Sequence, residues 1–226
     1  LLLLLYFADI PYLGNEVPFY LCRMTRKIWL AGQVVYIVCA TAIYTVAILL
    51  STILICGQRC YVGNIWSETA VKLAFTSAGK KLSLAASEKT LELTRPYACM
   101  TTMFFLLFAY ALVMVLLIFW FRILWNELAG MIAGVVFNGI SFIFSPGILQ
   151  KLLGISERKS YLANVAAGWI SPLSHATYHL HNFGYDRLPS LRDSGIYDMV
   201  LVIMLILLNL YSIRTYHFVF DGTGER

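Results

Sequence analysis

Ile28-Trp29-Leu30-Ala31-Gly32-Gln33-Val34-Val35-Tyr36-Ile37-Val38-Cys39-Ala40-Thr41-Ala42-Ile43-Tyr44-Thr45-Val46-Ala47-Ile48-Leu49-Leu50-Ser51-Thr52-Ile53-Leu54-Ile55-Cys56 is a run without an Asp, Glu, Lys or Arg. A lipid-spanning helix needs roughly 20 predominantly apolar residues, and this run exceeds that. At 1.5 Å per residue it would reach about 43 Å, against a hydrocarbon core of about 30 Å, so it must tilt or begin in the headgroup layer. The rest of the chain has the same character. Of 226 residues, 60% are hydrophobic and 13% charged, with a mean hydropathy of +0.74. Soluble domains carry about 25% charged residues, so a soluble globule and a disordered chain are both excluded. The five cysteines (22, 39, 56, 60, 99) mostly sit in or beside apolar runs, which argues against a disulfide scaffold. Cys56 and Cys60, the only close pair, read as small apolar residues near a helix end.

Three further segments read as spans: Ala98 to Leu124, Leu128 to Phe144 and Ile196 to Ile213. The second is short and stops at Ser145-Pro146-Gly147, where proline lacks its N–H. The opening Leu1-Leu2-Leu3-Leu4-Leu5-Tyr6 starts apolar at full strength and is expected to be the tail of a helix that begins upstream. The expectation is therefore an all-α polytopic bundle forming a single transmembrane domain over 1–226, with five visible spans. Two large loops, 57–97 and 145–195, separate them. In the first, Trp66 to Leu93 shows apolar residues every three or four positions among charges and reads as an interfacial helical hairpin broken near Gly79. In the second, Leu162 to Leu180 is interrupted by Gly168 and Pro172 and suits a re-entrant or cavity-lining segment. Trp29, Tyr97, Trp120, Trp125 and Tyr211 mark span ends, as an aromatic belt does.

Arg23-Met24-Thr25-Arg26-Lys27 places three cations immediately before the first long span, a pattern of cytoplasmic retention. That cluster reads as a charge anchor, while the preceding Asp9 to Leu21, a short amphipathic connection with two prolines, could instead dock a soluble partner at the membrane face. The net charge of +5 is accounted for by membrane-surface contact and calls for no nucleic acid.

The run Tyr20-Leu21-Cys22-Arg23-Met24-Thr25-Arg26-Lys27-Ile28-Trp29-Leu30-Ala31-Gly32-Gln33, after a helix tail ending Phe7-Ala8-Asp9-Ile10-Pro11, resembles the cytoplasmic loop of bacterial type 2 ATP-binding-cassette (ABC) exporter permeases. There an arginine-rich stretch, a Trp-Leu pair and a glycine lead into the third transmembrane helix. The order of spans and loops that follows is also similar. The resemblance implies a subunit of about six helices in the bacterial inner membrane, with the first and most of the second absent here. It implies a second permease subunit, homo- or heterodimeric, and cytoplasmic ATPase subunits that bind ATP and Mg. Glu16 to Leu21 would be the docking element, with Arg23, Arg26 and Lys27 as its electrostatic support and Trp29 as an interfacial pin. The two large loops would be extracytoplasmic. This orientation leaves six of the seventeen cations inside and eleven in the large loops, so the raw cation count favours the opposite one. Gly79-Lys80-Lys81 lacks the first glycine and terminal hydroxyl of a phosphate loop, so this chain is expected to hold no cofactor of its own and ATP hydrolysis to lie on a partner.

Gly130 and Gly134 form a Gly-x-x-x-Gly pair followed by Asn138, which suits either a dimer or pathway-lining helix or packing inside one subunit. Glu127 and Arg122 are placed to pair across a short turn. His175, His179 and His181 offer an alternative reading, a membrane-embedded metalloenzyme. Against it, no Glu lies between 175 and 181 and no second histidine cluster exists. A structural or immunity-type membrane protein is a third class. Apart from Asp198 near an end, the spans hold no midplane acid or base of the kind that ion-coupled carriers use, which also points to energy from a partner. The substrate would be hydrophobic or amphipathic, with peptides suggested by the resemblance.

Overall fold

A computed structural model describes residues 2–7, 10, 11, 23–57, 62–76, 88–144, 146–152, 154, 160–184 and 186–216. Glu16, Cys22, Cys60, the break expected near Gly79 and His217 lie outside the described residues. Among those residues every regular element is helical. In chain order these are α1 (Leu2–Tyr6), α2 (Arg26–Cys56), α3 (Glu68–Phe75), α4 (Glu88–Leu93), α5 (Pro96–Leu124), α6 (Glu127–Ile143), α7 (Pro146–Leu152), α8 (Ser160–Ile170), α9 (Pro172–Ala176), a 3-10 turn (Tyr178–Leu180) and α10 (Leu191–Ser212). Three of them, α2, α5 and α10, are long and apolar enough to cross a membrane.

These three are among the five spans expected. With 17 residues α6 extends about 26 Å, at the lower limit for a hydrocarbon core of about 30 Å. The stop read at Ser145-Pro146-Gly147 is where α6 ends and α7 begins, Pro146 taking a first-turn position that needs no N–H donor. The interruption expected at Pro172 is present, with the chain breaking at Ser171 and again at Thr177 into α8, α9 and the 3-10 turn, each too short to span, whereas Gly168 continues within α8.

The chain forms two compact units: 1–44, 109–140 and 196–226 make the first, and 45–108 with 141–195 the second. In the first unit Val115, Leu116 and Phe119 of α5 are fully buried, as are Leu30 and Ile37 of α2, with Leu205 of α10 and Ile213 just after it. Since lipid tails are as apolar as leucine, apolar area alone does not hold such helices together, and interhelical hydrogen bonds contribute. Asn209 Nδ2 donates to the Leu205 carbonyl at 2.8 Å and the Leu116 carbonyl at 3.4 Å. Trp120 Nε1 donates to Ser212 Oγ at 3.0 Å.

The second unit carries the short helices. Ser67 caps α3 by accepting from the Ala70 N–H at 3.2 Å. Trp66 Nε1 donates to the Thr94 carbonyl at 2.8 Å and so ties the start of the 66–93 stretch read as a hairpin to the residue that follows its end. Cys99, Leu106 and Tyr178 form an apolar cluster backed by Trp66 and Phe183. Leu149 of α7 packs on Ala163 and Ala167 of α8. Gly184 turns the chain with φ of +105°, a conformation that glycine reaches without a Cβ penalty.

Candidate functional site

The basic stretch before the first span does two different things. Arg26, the first residue of α2, turns its guanidinium on the end of α10. Its Nη1 donates to the carbonyls of Ile213 (3.3 Å), Arg214 (2.7 Å) and Tyr216 (3.1 Å). These carbonyls follow Ser212, the last residue of α10, so the guanidinium sits just beyond the negative end of the helix dipole, which favours a cation there. Trp29, one turn further on, is 6% exposed and stacks on Tyr216, with ring centroids 6.4 Å apart and planes at 14°. Trp29, expected as an interfacial pin, also has the Phe119 ring beside it with centroids 6.5 Å apart, so its contacts are with the chain's own aromatic rings. Burial there pushes the Tyr216 phenol above its ordinary value. Arg23 and Lys27 are exposed, and no ion pair joins them to another described residue. Of the expected electrostatic support, those two face outward and Arg26 holds the chain's own helix end.

Arg122, 6% exposed, is a second helix-end arginine in the same unit. It donates to the carbonyls of Phe7 and Ile10 just after α1, and its Nη2 lies 3.2 Å from Glu127 Oε1, the pair expected from the sequence. Its aliphatic stem crosses Gly130. A Cβ at Gly130 would stand 2.8 Å from the Ile118 carbonyl oxygen, so α6 and α5 meet where no side chain fits between them. Gly134 is buried on that face as well. Asn138 accepts from the Tyr110 hydroxyl at 2.7 Å and donates to the Gly134 carbonyl at 2.9 Å. Of the two readings open for Gly130, Gly134 and Asn138, these contacts are packing within the chain.

The histidines lie in the second unit. Ser190 and Asp193 start α10 reciprocally: the Asp193 N–H donates to Ser190 Oγ (3.2 Å) and the Ser190 N–H to Asp193 Oδ2 (3.0 Å). That cap sets the first turn and aims Ser194, which is fully buried, at the loop. His175 on α9 places Nδ1 2.8 Å from Ser194 Oγ, and His181, just past the 3-10 turn, places Nε2 2.9 Å from the same oxygen. The outer nitrogens meet backbone carbonyls. His175 Nε2 faces Trp169 at 3.1 Å, and His181 Nδ1 faces Thr177 at 3.0 Å and Tyr178 at 3.1 Å. Both imidazoles are 1% exposed. Burial lowers their proton affinity, as it does for half-buried His179, where repulsion from any charge on His181 lowers it further.

His179 does not join the other two on Ser194, and no group of three His, Cys, Asp or Glu among the described residues is placed to hold a metal. The spacing of four between His175 and His179 would bring them together on a continuous helix, but the chain changes to a 3-10 turn between them. It is His175 and His181 that converge, and Ser194, which sequence reading did not single out, is their common partner. The available signal was the Ser190-Leu191-Arg192-Asp193 capping pattern, which fixes where α10 begins. Asp198 was also underestimated. It is 7% exposed, and its Oδ2 has no hydrogen-bond partner among the described residues.

An apolar cavity of about 380 Å³ also lies in the second unit, bordered by Thr45, Ile48 and Thr52 of α2 and Cys99, Met100 and Met103 of α5. Comparison of the chain with models of known families, with curated proteins and with solved structures finds no match.

Proposed function

We propose that the chain is the permease subunit of an ATP-driven exporter of the type 2 ABC class, in a bacterial inner membrane. It moves a hydrophobic or amphipathic substrate, peptides included, by alternating access. The observation that carries this reading is the division of labour at the start of α2. Arg23 and Lys27 stay exposed beside a membrane boundary, while Arg26 and Trp29 tie that boundary to the end of the last span. A push delivered by a soluble partner at the exposed cations would reach α10 through the Arg26 contacts. Three full-length apolar helices support the membrane assignment. The sequence supports placing ATP hydrolysis on another chain, since it has no phosphate loop.

The test is purification with the neighbouring reading frames expressed together. The reading expects a soluble chain carrying a Gly-x-x-x-x-Gly-Lys-Ser/Thr loop to co-purify, and the pair to hydrolyse ATP in lipid vesicles. Reversing the exposed charges, Arg23→Glu with Lys27→Glu, should lower that ATPase rate by about tenfold, the scale of one lost charge-assisted contact of about 1.4 kcal/mol. Absence of any nucleotide-hydrolysing partner would remove the exporter reading.

A further inference from the structure

The apolar cavity of the second unit lies between α2 and α5, reaching from Pro96 to Leu107 along α5 and from Thr45 to Ile53 along α2. Pro96 to Leu107 is a rise of 11 residues, as is Thr45 to the end of α2 at Cys56, which at 1.5 Å per residue is about 17 Å. Half of a hydrocarbon core of about 30 Å is about 15 Å, so the cavity runs the depth of one leaflet, parallel to the lipid chains beside it. Its wall spends its hydrogen-bond donors within the chain. Thr52 Oγ1 donates to the Leu49 carbonyl at 2.7 Å, Cys99 Sγ to Met103 Sδ at 3.7 Å and Trp66 Nε1 to the Thr94 carbonyl at 2.8 Å. Thr45 is partnered as well. The rest of the lining is apolar and includes Met100 and Met103, whose unbranched side chains fit irregular shapes. At about 380 Å³ the cavity has the size of a small-ligand pocket. Its mouth, at Trp66 and Pro96, is the boundary where α5 enters the hydrocarbon, and charges of both signs stand there. Arg95 adjoins Pro96 and Glu92 lies three residues earlier. Both are exposed, and no ion pair joins either to another described residue. Lys89 is paired with Asp186, and Glu88, the remaining charge of α4, lies a further turn away.

We propose that this cavity is a lipid site, holding one acyl chain of a zwitterionic phospholipid from the leaflet at the Trp66 end, with the headgroup phosphate at Arg95 and its ammonium at Glu92. The depth fits a chain that ends at the bilayer midplane. The wall accepts hydrocarbon, and a water inside would lack the two or more polar partners it needs. At the mouth the guanidinium and the carboxylate complement the two charges of the headgroup, whereas a fatty acid would leave Glu92 without a counterpart. Ile53 and Met100 border the cavity and are exposed, so a chain enters sideways from the bilayer, while buried Cys99 closes the back. The site does not depend on the exporter reading.

The experiment places the full chain in nanodiscs of phosphatidylethanolamine with a trace of the same lipid carrying a photoreactive diazirine near the end of one acyl chain. Adducts are mapped by peptide mass spectrometry. Leu107 in the cavity and Ile43 outside it are both aliphatic and lie at similar depth, but Ile43 is 63% exposed and Leu107 36%. Ordinary lipid contact would mark Ile43 more; a chain in the cavity marks Leu107 more. Thr52→Trp fills the cavity from an exposed position whose hydroxyl bonds its own helix. It should lower the Leu107 adduct about tenfold, the loss expected when two or more methylenes are no longer buried, and leave Ile43 unchanged. Adducts that follow exposure in the wild type would overturn the proposal. So would Leu107 labelling that survives Thr52→Trp, that is equally strong in phosphatidylglycerol, whose headgroup has no ammonium, or that a photoreactive free fatty acid reproduces in full.

Discussion

Gly130 and Asp198 show how single positions carry the constraints of the first unit. A methyl at Gly130 has nowhere to go, since it would meet Arg122 Cγ first and then a backbone oxygen, Ile118 O at 2.8 Å, that moves only with α5 itself. Gly130→Ala should cost about 1–3 kcal/mol. Gly139→Ala, with nothing within 4 Å of its Cβ, should be neutral or stabilising by up to about 1 kcal/mol. Thermal unfolding in detergent compares the two, and equal effects would mean that α5 and α6 do not pack at Gly130. At Asp198 the sign is reversed. A buried carboxylate oxygen without a partner is a standing penalty. Asp198→Asn should therefore raise stability by about 1 kcal/mol or more unless the carboxylate serves transport, in which case stability and activity move in opposite directions.

At the scale of elements, short helices survive only where their ends are held. Loss of the cap in Ser190→Ala should destabilise the start of α10 by about 0.5–2 kcal/mol, read as faster amide exchange over 190–196 with the exchange at 205–212 unchanged. The 3-10 turn responds to pH through His179, whose proton affinity is lowered by burial and by His181. A lowered folded value means the unfolded chain binds more protons. The contribution is then present above the ordinary histidine value of about 6.5 and is lost as pH falls through the lowered one. His179→Gln should flatten that acid limb in amide exchange at 177–181, and an unaltered limb would assign the pH dependence elsewhere.

For the molecule as a whole, the open quantity is direction across the bilayer. With 31 residues, α2 extends about 46 Å and is long enough to place its two ends on opposite sides of a hydrocarbon core of about 30 Å. The exporter reading puts Arg23 inside and Cys56 outside, against the raw count of cations. In a variant whose other cysteines are serine, Cys56 should react with an impermeant thiol reagent added outside sealed cells, and Arg23→Cys in a Cys56→Ser background should not. The reverse pattern would invert the topology and with it the docking role of Arg23 and Lys27.

Membrane character and helix boundaries were legible in the chain because they depend on local quantities: run length, absence of charge, and prolines that end hydrogen-bonded turns. The interruption of 162–180 at Pro172, the start of α7 at Pro146 and the pairing of Arg122 with Glu127 follow from neighbours within a few residues. Partner choice over long separations was not legible. Arg26 reaches carbonyls 187 to 190 residues away, and nothing in the stretch around it distinguishes a guanidinium facing a soluble partner from one facing the end of α10. Trp29 reads as an interfacial residue until Tyr216 is beside it, and the Gly-x-x-x-Gly face fits a second subunit as well as α5. The histidines make the same point. Their spacing suggested a helical face, whereas the tertiary structure breaks the helix between them and brings Ser194, 13 to 19 residues later in the chain, to the point where two of them meet. Sequence alone determined the solvent this chain folds in, since hydrophobicity sums over local composition. Only the tertiary structure decided which polar groups face one another inside it, because the burial that makes a hydrogen-bond partner necessary comes from packing between distant segments.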